Sequence, residues 1–162
     1  HEKRLFWVES TEDKPASLII NDGAVLQNGK VEARDQTKLG GAIYCQYAGD
    51  VTINGGIIRN NEAIQAGGGI AYIGKGTLTI NDGEITGNKV PPESGFGGGL
   101  VLQGKAFIKG GKIYNNTAYD GGGIATGNNT NLVISGGEIN KNSASYAGGG
   151  IYCCQAYRRA NL

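Results

Sequence analysis

The side chains with chemistry to offer are few, and most of them stand alone. The only histidine of the 162 residues is His1, so a two-histidine copper brace lacks its second ligand. Asp22 and Asp82 sit at equivalent turn positions of a repeated phrase, but a glycine, Gly55, takes that position in the unit between them. Glu93 and Asp120, in variable segments of neighbouring units, come nearest to a carboxylate pair. Inverting hydrolysis of a sugar chain needs an acid and a base about 6.5 to 9.5 Å apart, with an environment that tells them apart. No second carboxylate or basic partner recurs beside either residue, so no catalytic residue is expected. Calcium would need several oxygen ligands clustered in one loop, and none supplies them; no metal and no cofactor are expected. Aromatic residues offer more. Tyr119 and Tyr146 each stand two residues before a glycine run, with Phe96 and Asp120 close by in the same kind of variable segment. An exposed aromatic ladder suits a sugar ring or a protein partner, and Phe96, Tyr119, Asp120 and Tyr146 form the candidate binding corner.

What must position these residues is an internal repeat. One phrase reads Ile20-Asn21-Asp22-Gly23, Ile53-Asn54-Gly55-Gly56, Ile80-Asn81-Asp82-Gly83, Ile108-Lys109-Gly110-Gly111 and Ile134-Ser135-Gly136-Gly137, in steps of 33, 27, 28 and 26 residues. A second follows in each unit: Gly40-Gly41-Ala42-Ile43, Gly67-Gly68-Gly69-Ile70, Gly97-Gly98-Gly99-Leu100, Gly121-Gly122-Gly123-Ile124 and Gly148-Gly149-Gly150-Ile151. Two phrases in one register, five times over, mark a solenoid. Thirty glycines would otherwise suit a disordered low-complexity chain, but disorder has no use for a fixed isoleucine phase.

Each unit holds three short runs with strand-like alternation, typified by Val51-Thr52-Ile53, the run around Ile58, and Ile70-Ala71-Tyr72. Strands of about three residues bury no core alone. Coiled so that each unit pairs with the next at about 4.8 Å, they stack like residue on like residue. The expected fold is therefore all-β: a right-handed parallel β-helix, or β-solenoid, of about five coils of about 27 residues with three short strands per coil. Residues 1–16 read as a cap or partial leading coil, 17–154 as the helix and 155–162 as a short tail. One ladder should run through Ile53, Ile80, Ile108 and Ile134, another through Ile70, Leu100, Ile124 and Ile151. A third is assigned to Val25, Ile58, Ile85, Ile113 and Ile139. Asn28, Asn61, Asn88, Asn116 and Asn142 share a phase and can bond amide to amide, with small residues Ala63, Val90, Ala118 and Ala144 beside them.

Cys45 and Cys153 both follow a Gly-Gly-x-Ile isoleucine by two residues, so both should turn inward. Four coils, about 19 Å, separate them, against the limit of about 7 Å between the Cα atoms of a disulfide. Cys154 should point outward, as the thiol open to reaction. Fifteen basic against 14 acidic side chains leave a formal charge of +1, which gives no drive toward nucleic acid or an anionic membrane. No apolar run is long enough to span a bilayer. The chain starts at His1 and has no methionine, which reads as a segment or a processed product.

With Gly40-Gly41-Ala42-Ile43 and its Ile-x-x-Asn units, the chain resembles the right-handed parallel β-helix repeats of bacterial surface proteins. These motifs resemble the Gly-Gly-Ala-Ile and Phe-x-x-Asn repeats of polymorphic outer-membrane adhesins. It has Ile or Val where that family has Phe, at Val25, Ile58, Ile85, Ile113 and Ile139, and no membrane-barrel domain follows. The resemblance covers Ser17 to Cys154. It implies a secreted or surface-exposed, adhesin-like segment; with no catalytic residue expected, the reading is a noncatalytic segment that presents or spaces a binding surface for a protein or glycan on a surface. Alternatives are a structural solenoid that stacks on copies of itself into a filament, and a fragment of a carbohydrate-active enzyme. Variable lengths at Ile64 to Ala66, Pro91 to Phe96, Tyr119-Asp120, Ser145 to Ala147 and Glu32 to Leu39 place the recognition surface at one corner. Arg4 to Lys14, with Phe6 and Trp7, reads as the N-terminal cap. At the other end Gln155 to Leu162, with Arg158 and Arg159, is short for covering three strands.

Overall fold

The computed structural model describes residues 3–32 and 37–154. His1, the middle of the 32–39 insert and the 155–162 tail with Arg158 and Arg159 therefore lie outside the described residues. The chain is all-β, a parallel solenoid of five rungs that spans about four turns at a spacing of about 27 residues. The first strand of each rung is β2 (Ser17–Ile20), β5 (Asp50–Ile53), the second half of β7 (Ile70–Ile80), the second half of β9 (Leu100–Ile108), and β13 (Asn131–Ile134). The second strands are β3 (Val25–Gln27), β6 (Ile57–Arg59), β8 (Glu84–Thr86), β10 (Lys112–Tyr114) and β14 (Glu138–Asn140). The third are β4 (Ile43–Tyr47), the first halves of β7 and β9, β12 (Ile124–Thr126) and β16 (Ile151–Cys153). Every pairing between these strands is parallel. A further strand, β1 (Phe6–Val8), pairs with β4 ahead of the first rung, with Val8 opposite Cys45. At the corner between the second and third strands, β11 (Thr117–Asp120) pairs with β15 (Ser143–Ala147).

Like residues stack because parallel strands hold one register from rung to rung. Ile20, Ile53, Ile80, Ile108 and Ile134 form one column, and Ile43, Ile70, Leu100, Ile124 and Ile151 another. A third is Leu26, Ile58, Ile85, Ile113 and Ile139. All three feed one apolar core. The last rung is the exception, since nothing described lies beyond it: Ile134 is 43% exposed where Ile53 is 1% exposed.

Two expectations shift by one residue in the first coil. Val25 lies opposite Ile57 and is exposed, while Leu26 meets Ile58 and takes the buried place. The cause is a longer turn, closed by the Ala24 N–H donating to the Asn21 carbonyl at 3.2 Å with Gly23 at φ +82°. The same extra residue removes Asn28 from the amide ladder. Asn28 is exposed, in left-handed conformation at φ 60°, a state that Asn60, Gly87, Asn115 and Lys141 adopt in the other coils. Gly29 takes its place, donating its N–H to Asn61 Oδ1 at 2.8 Å.

From there the ladder runs as expected. The Asn61 N–H and Nδ2 donate to Asn88 Oδ1, those of Asn88 to Asn116 Oδ1, and those of Asn116 to Asn142 Oδ1, all at 2.9–3.0 Å. Each amide also donates across the coil, Asn88 Nδ2 to the Ile58 carbonyl at 2.9 Å and Asn116 Nδ2 to that of Ile85. Ala63, Val90 and Ala118 pack beside it as a small cluster. The middle glycine of the second phrase is needed for space: a Cβ on Gly98 would stand 2.6 Å from the Thr117 nitrogen and the Gly122 carbonyl oxygen. Gly97 before it is needed for its φ of +63°.

Candidate functional site

The corner with variable segments is regular underneath. Leu39, Ala66, Phe96, Asp120 and Ala147, the final residues of the five segments, form one bridged column, so length differences are absorbed before it. Tyr119 and Tyr146 stack as their shared phase predicts, with ring centroids 5.2 Å apart and planes within 6°. A bulge in the last rung lets Ser145 and Tyr146 oppose Tyr119 alone. Tyr146 is 71% exposed and Tyr119 half-buried, so the stack presents an open ring at its last-rung end.

Phe96 does not join this stack. Its ring turns to the outer side of the third-strand sheet, packed with Leu39, Tyr44, Ala66, Ala71, Val101 and Ala125. Column position decides this: Phe96 aligns with Ala66 and Asp120, one residue further along the chain than Tyr119. Asp120 follows the same direction and is 4% exposed, with Oδ1 lacking a hydrogen-bond partner. Glu93, by contrast, is exposed on the turn after Pro91. Of the four expected site residues the structure thus brings Tyr119 and Tyr146 together, places Asp120 buried beside them, and sends Phe96 into packing.

Burial pushes the Asp120 carboxyl above its ordinary value, and the Ala147 main-chain N–H works the other way. A raised native pKa means the folded state holds the proton more tightly. That contribution to stability is present below the ordinary value of 3.8 and fades as pH rises above it. Asp120→Asn is therefore expected to gain stability relative to the parent as pH climbs from 4 toward 7. Urea unfolding at several pH values checks this, and a gain at acid pH instead would mean the ionised carboxylate is the favoured form.

The thiols divide differently from expectation. Cys45 is buried, stacked between Val8 and Tyr72, and burial pushes its thiol up to about 12. Cys153 holds the same column in the last rung but is exposed, with no described residue lying beyond it. Cys154 is half-buried, and its hydrogen bond to Tyr152 is the largest cause raising the Tyr152 phenol. Cys153 is accordingly the exposed thiol, not Cys154. None of the three is in a disulfide.

Elsewhere, Asp22 and Asp82 line a shallow cavity of about 340 Å³ with Glu84 and Lys112. Among the described residues no group of three His, Cys, Asp or Glu side chains could hold a metal ion. No described helix is long and apolar enough to cross a membrane. A larger groove of about 820 Å³ lies where third strands pass into first strands, lined by Tyr44, Gln46, Tyr47, Gln103, Lys105 and Asn129 among others. Its polar residues fall between the repeated phrases, which is why phrase alignment does not find them. Comparison of the chain with family models, with curated sequences and with solved structures returned no match.

Proposed function

We propose that the chain is a noncatalytic, adhesin-like segment of an extracellular or cell-surface protein, a rigid scaffold that presents the Tyr119–Tyr146 corner to a protein or glycan. The observation that carries this reading is the coplanar tyrosine pair, open on its last-rung face, at the corner where segment length varies most. A rigid aromatic held in place by its neighbour loses little freedom on binding, which is what makes tyrosine an effective contact residue. The likeness of the repeat to surface-protein β-helices supports the location. The isolated, buried Asp120 and the exposed Glu93 favour a noncatalytic role, since neither has a positioned partner.

The test couples binding to an activity control. Beads carrying the chain are challenged with immobilised glycans and extracellular proteins, alongside Tyr146→Ala, and reducing ends are assayed on the same glycans. The expected result is a loss of about tenfold in retention for Tyr146→Ala, stability unchanged within about 0.5 kcal/mol, and no release of reducing ends. Retention unaffected by the substitution, or turnover abolished by Asp120→Asn, would overturn the proposal.

A filament built by end-to-end stacking is favoured by the exposed last rung, Ile134 above all. The first rung argues against it. In a head-to-tail stack the Asn142 column would meet Gly29, which has no side-chain oxygen with which to continue the ladder, and β1 already lies ahead of the first rung.

A further inference from the structure

We propose that the groove between the third and first strands is a binding site for an anionic oligosaccharide, distinct from the tyrosine corner and independent of it. The groove lies where β7 and β9 carry third strand into first with no loop, at a register irregularity between Ile73 and Thr77 and at Gly104 with its φ of +127°. Gly74 and Gly104 form its floor and have no room for a side chain: a Cβ on Gly74 would lie 2.6 Å from the Tyr47 carbonyl oxygen, and one on Gly104 would strike that of Gly74. The walls come from successive rungs: Gln46 and Tyr47 from the first, Ile73 and Lys75 from the second, Gln103 and Lys105 from the third, and Asn129 and Asn131 beyond. Three rung steps make the trough about 14 Å long. That suits a short chain of linked rings rather than a single small molecule.

Three features choose the ligand. First, β4, β7 and β9 are already paired on both sides, so no strand edge is open in the floor for a peptide to extend the sheet; recognition falls to side chains. Second, those side chains are amides and a phenol ring. Each primary amide offers donors and an acceptor to hydroxyls, and Gln46 is oriented by the Tyr44 hydroxyl, which donates to its Oε1 at 2.8 Å and leaves the Gln46 NH2 to donate. Tyr47, 58% exposed and held at φ 61°, provides a ring face for a sugar. Third, no carboxylate lines the groove, while two lysines do. Lys75 is engaged by Glu12, but Lys105 is exposed and has no ion-pair partner among the described residues. A carboxylate or sulfate on the sugar chain supplies that partner.

The experiment is an NMR titration of the isotope-labelled chain with oligogalacturonate, with a chondroitin sulfate oligosaccharide and with a neutral cello-oligosaccharide. The expected result is movement of the Gln46, Gln103, Asn129 and Asn131 side-chain amide signals with one or both acidic probes, weakening as salt is raised. The two acidic probes separate a carboxylate from a sulfate requirement. Lys105→Glu should bind about fivefold more weakly, the effect of turning one exposed charge pair into a repulsion, and Tyr47→Ala should also weaken binding. Tyr146→Ala should leave the titration unchanged, which separates this site from the corner. Unmoved groove amides with both acidic probes, equal response to the neutral chain, or indifference to Lys105→Glu would each overturn the proposal.

Discussion

Asn88→Ala should destabilise the chain by about 3 to 6 kcal/mol. The Asn88 side chain accepts from the Asn61 N–H at 3.0 Å and from Asn61 Nδ2 at 2.9 Å, and it donates to the Ile58 carbonyl at 2.9 Å. All of these groups are buried. Alanine would take their Asn88 partner from the Asn61 N–H and the Ile58 carbonyl and leave Asn61 Nδ2 with the Leu26 carbonyl alone, all out of reach of water, at about 1 to 3 kcal/mol per lost bond, less than fully additive. The chain contains its own control. A second amide ladder runs on the surface, Asn81 Nδ2 donating to Asn54 Oδ1 at 2.8 Å and Asn54 Nδ2 to Asn21 Oδ1 at 2.9 Å. These amides are exposed, so water replaces whatever is removed, and Asn54→Ala should cost less than about 1 kcal/mol. The two ladders share residue type and spacing; the inner one is buried and also bonds main-chain groups, while the outer one is exposed and runs side chain to side chain. Urea unfolding followed by circular dichroism measures both; equal losses would mean that burial is not what makes the inner ladder matter.

Gly98→Ala is the second large effect, expected at no less than about 3 kcal/mol and sufficient to disorder the corner between the third and fourth rungs. A methyl group there meets the carbonyl oxygen and nitrogen of Thr117 and the carbonyl oxygen of Gly122, all main-chain atoms of the neighbouring rung. No rotamer change relieves such a contact, and separating the rungs would break the Gly98 N–H bond to the Gly121 carbonyl at 3.1 Å. Gly98 is not among the positive-φ glycines, so the cost is one of space and not of conformation. Gly23→Ala isolates the other term. Nothing lies within 4 Å of a Cβ there, but φ is +82°, so strain alone should cost about 1 kcal/mol. Thermal unfolding that ranked Gly23→Ala as the worse of the two would contradict this assignment.

Much of the architecture was legible because a solenoid writes its contacts into the sequence as a period. Ile53, Ile80 and Ile108 stack because parallel strands at a fixed spacing oblige equivalent residues to be neighbours. The inner asparagines and the Tyr119–Tyr146 stack follow from the same rule. It misleads where one residue is added without disturbing the phrase. Ala24 lengthens the first turn, and Gly23 still aligns with Gly56 by eye, yet everything from Val25 to Asn28 is displaced by one place. In a strand that exchanges the inner for the outer face.

The candidate site was legible only in part, for a related reason. Phase specifies which residues share a column but not which way a corner turns. Phe96 and Tyr119 are close in unit position, but a one-place difference sends Phe96 into the outer apolar cluster and leaves Tyr119 stacked on Tyr146. The exposure of Cys153 depends on its being in the last rung, a matter of what lies beyond and not of its phase.

The chain's sequence by itself determined the parallel solenoid, its three strands per coil, its isoleucine columns and its amide ladder, because each is a periodic consequence of repeated neighbours. Only the tertiary structure decided the burial of Asp120, the identity of the exposed thiol and the groove of Gln46, Tyr47, Gln103, Lys105 and Asn129. These residues lie between the repeated phrases. They meet because third strand runs into first at Gly74 and Gly104 and one rung packs closely on the next, and a junction of that kind has no period to read.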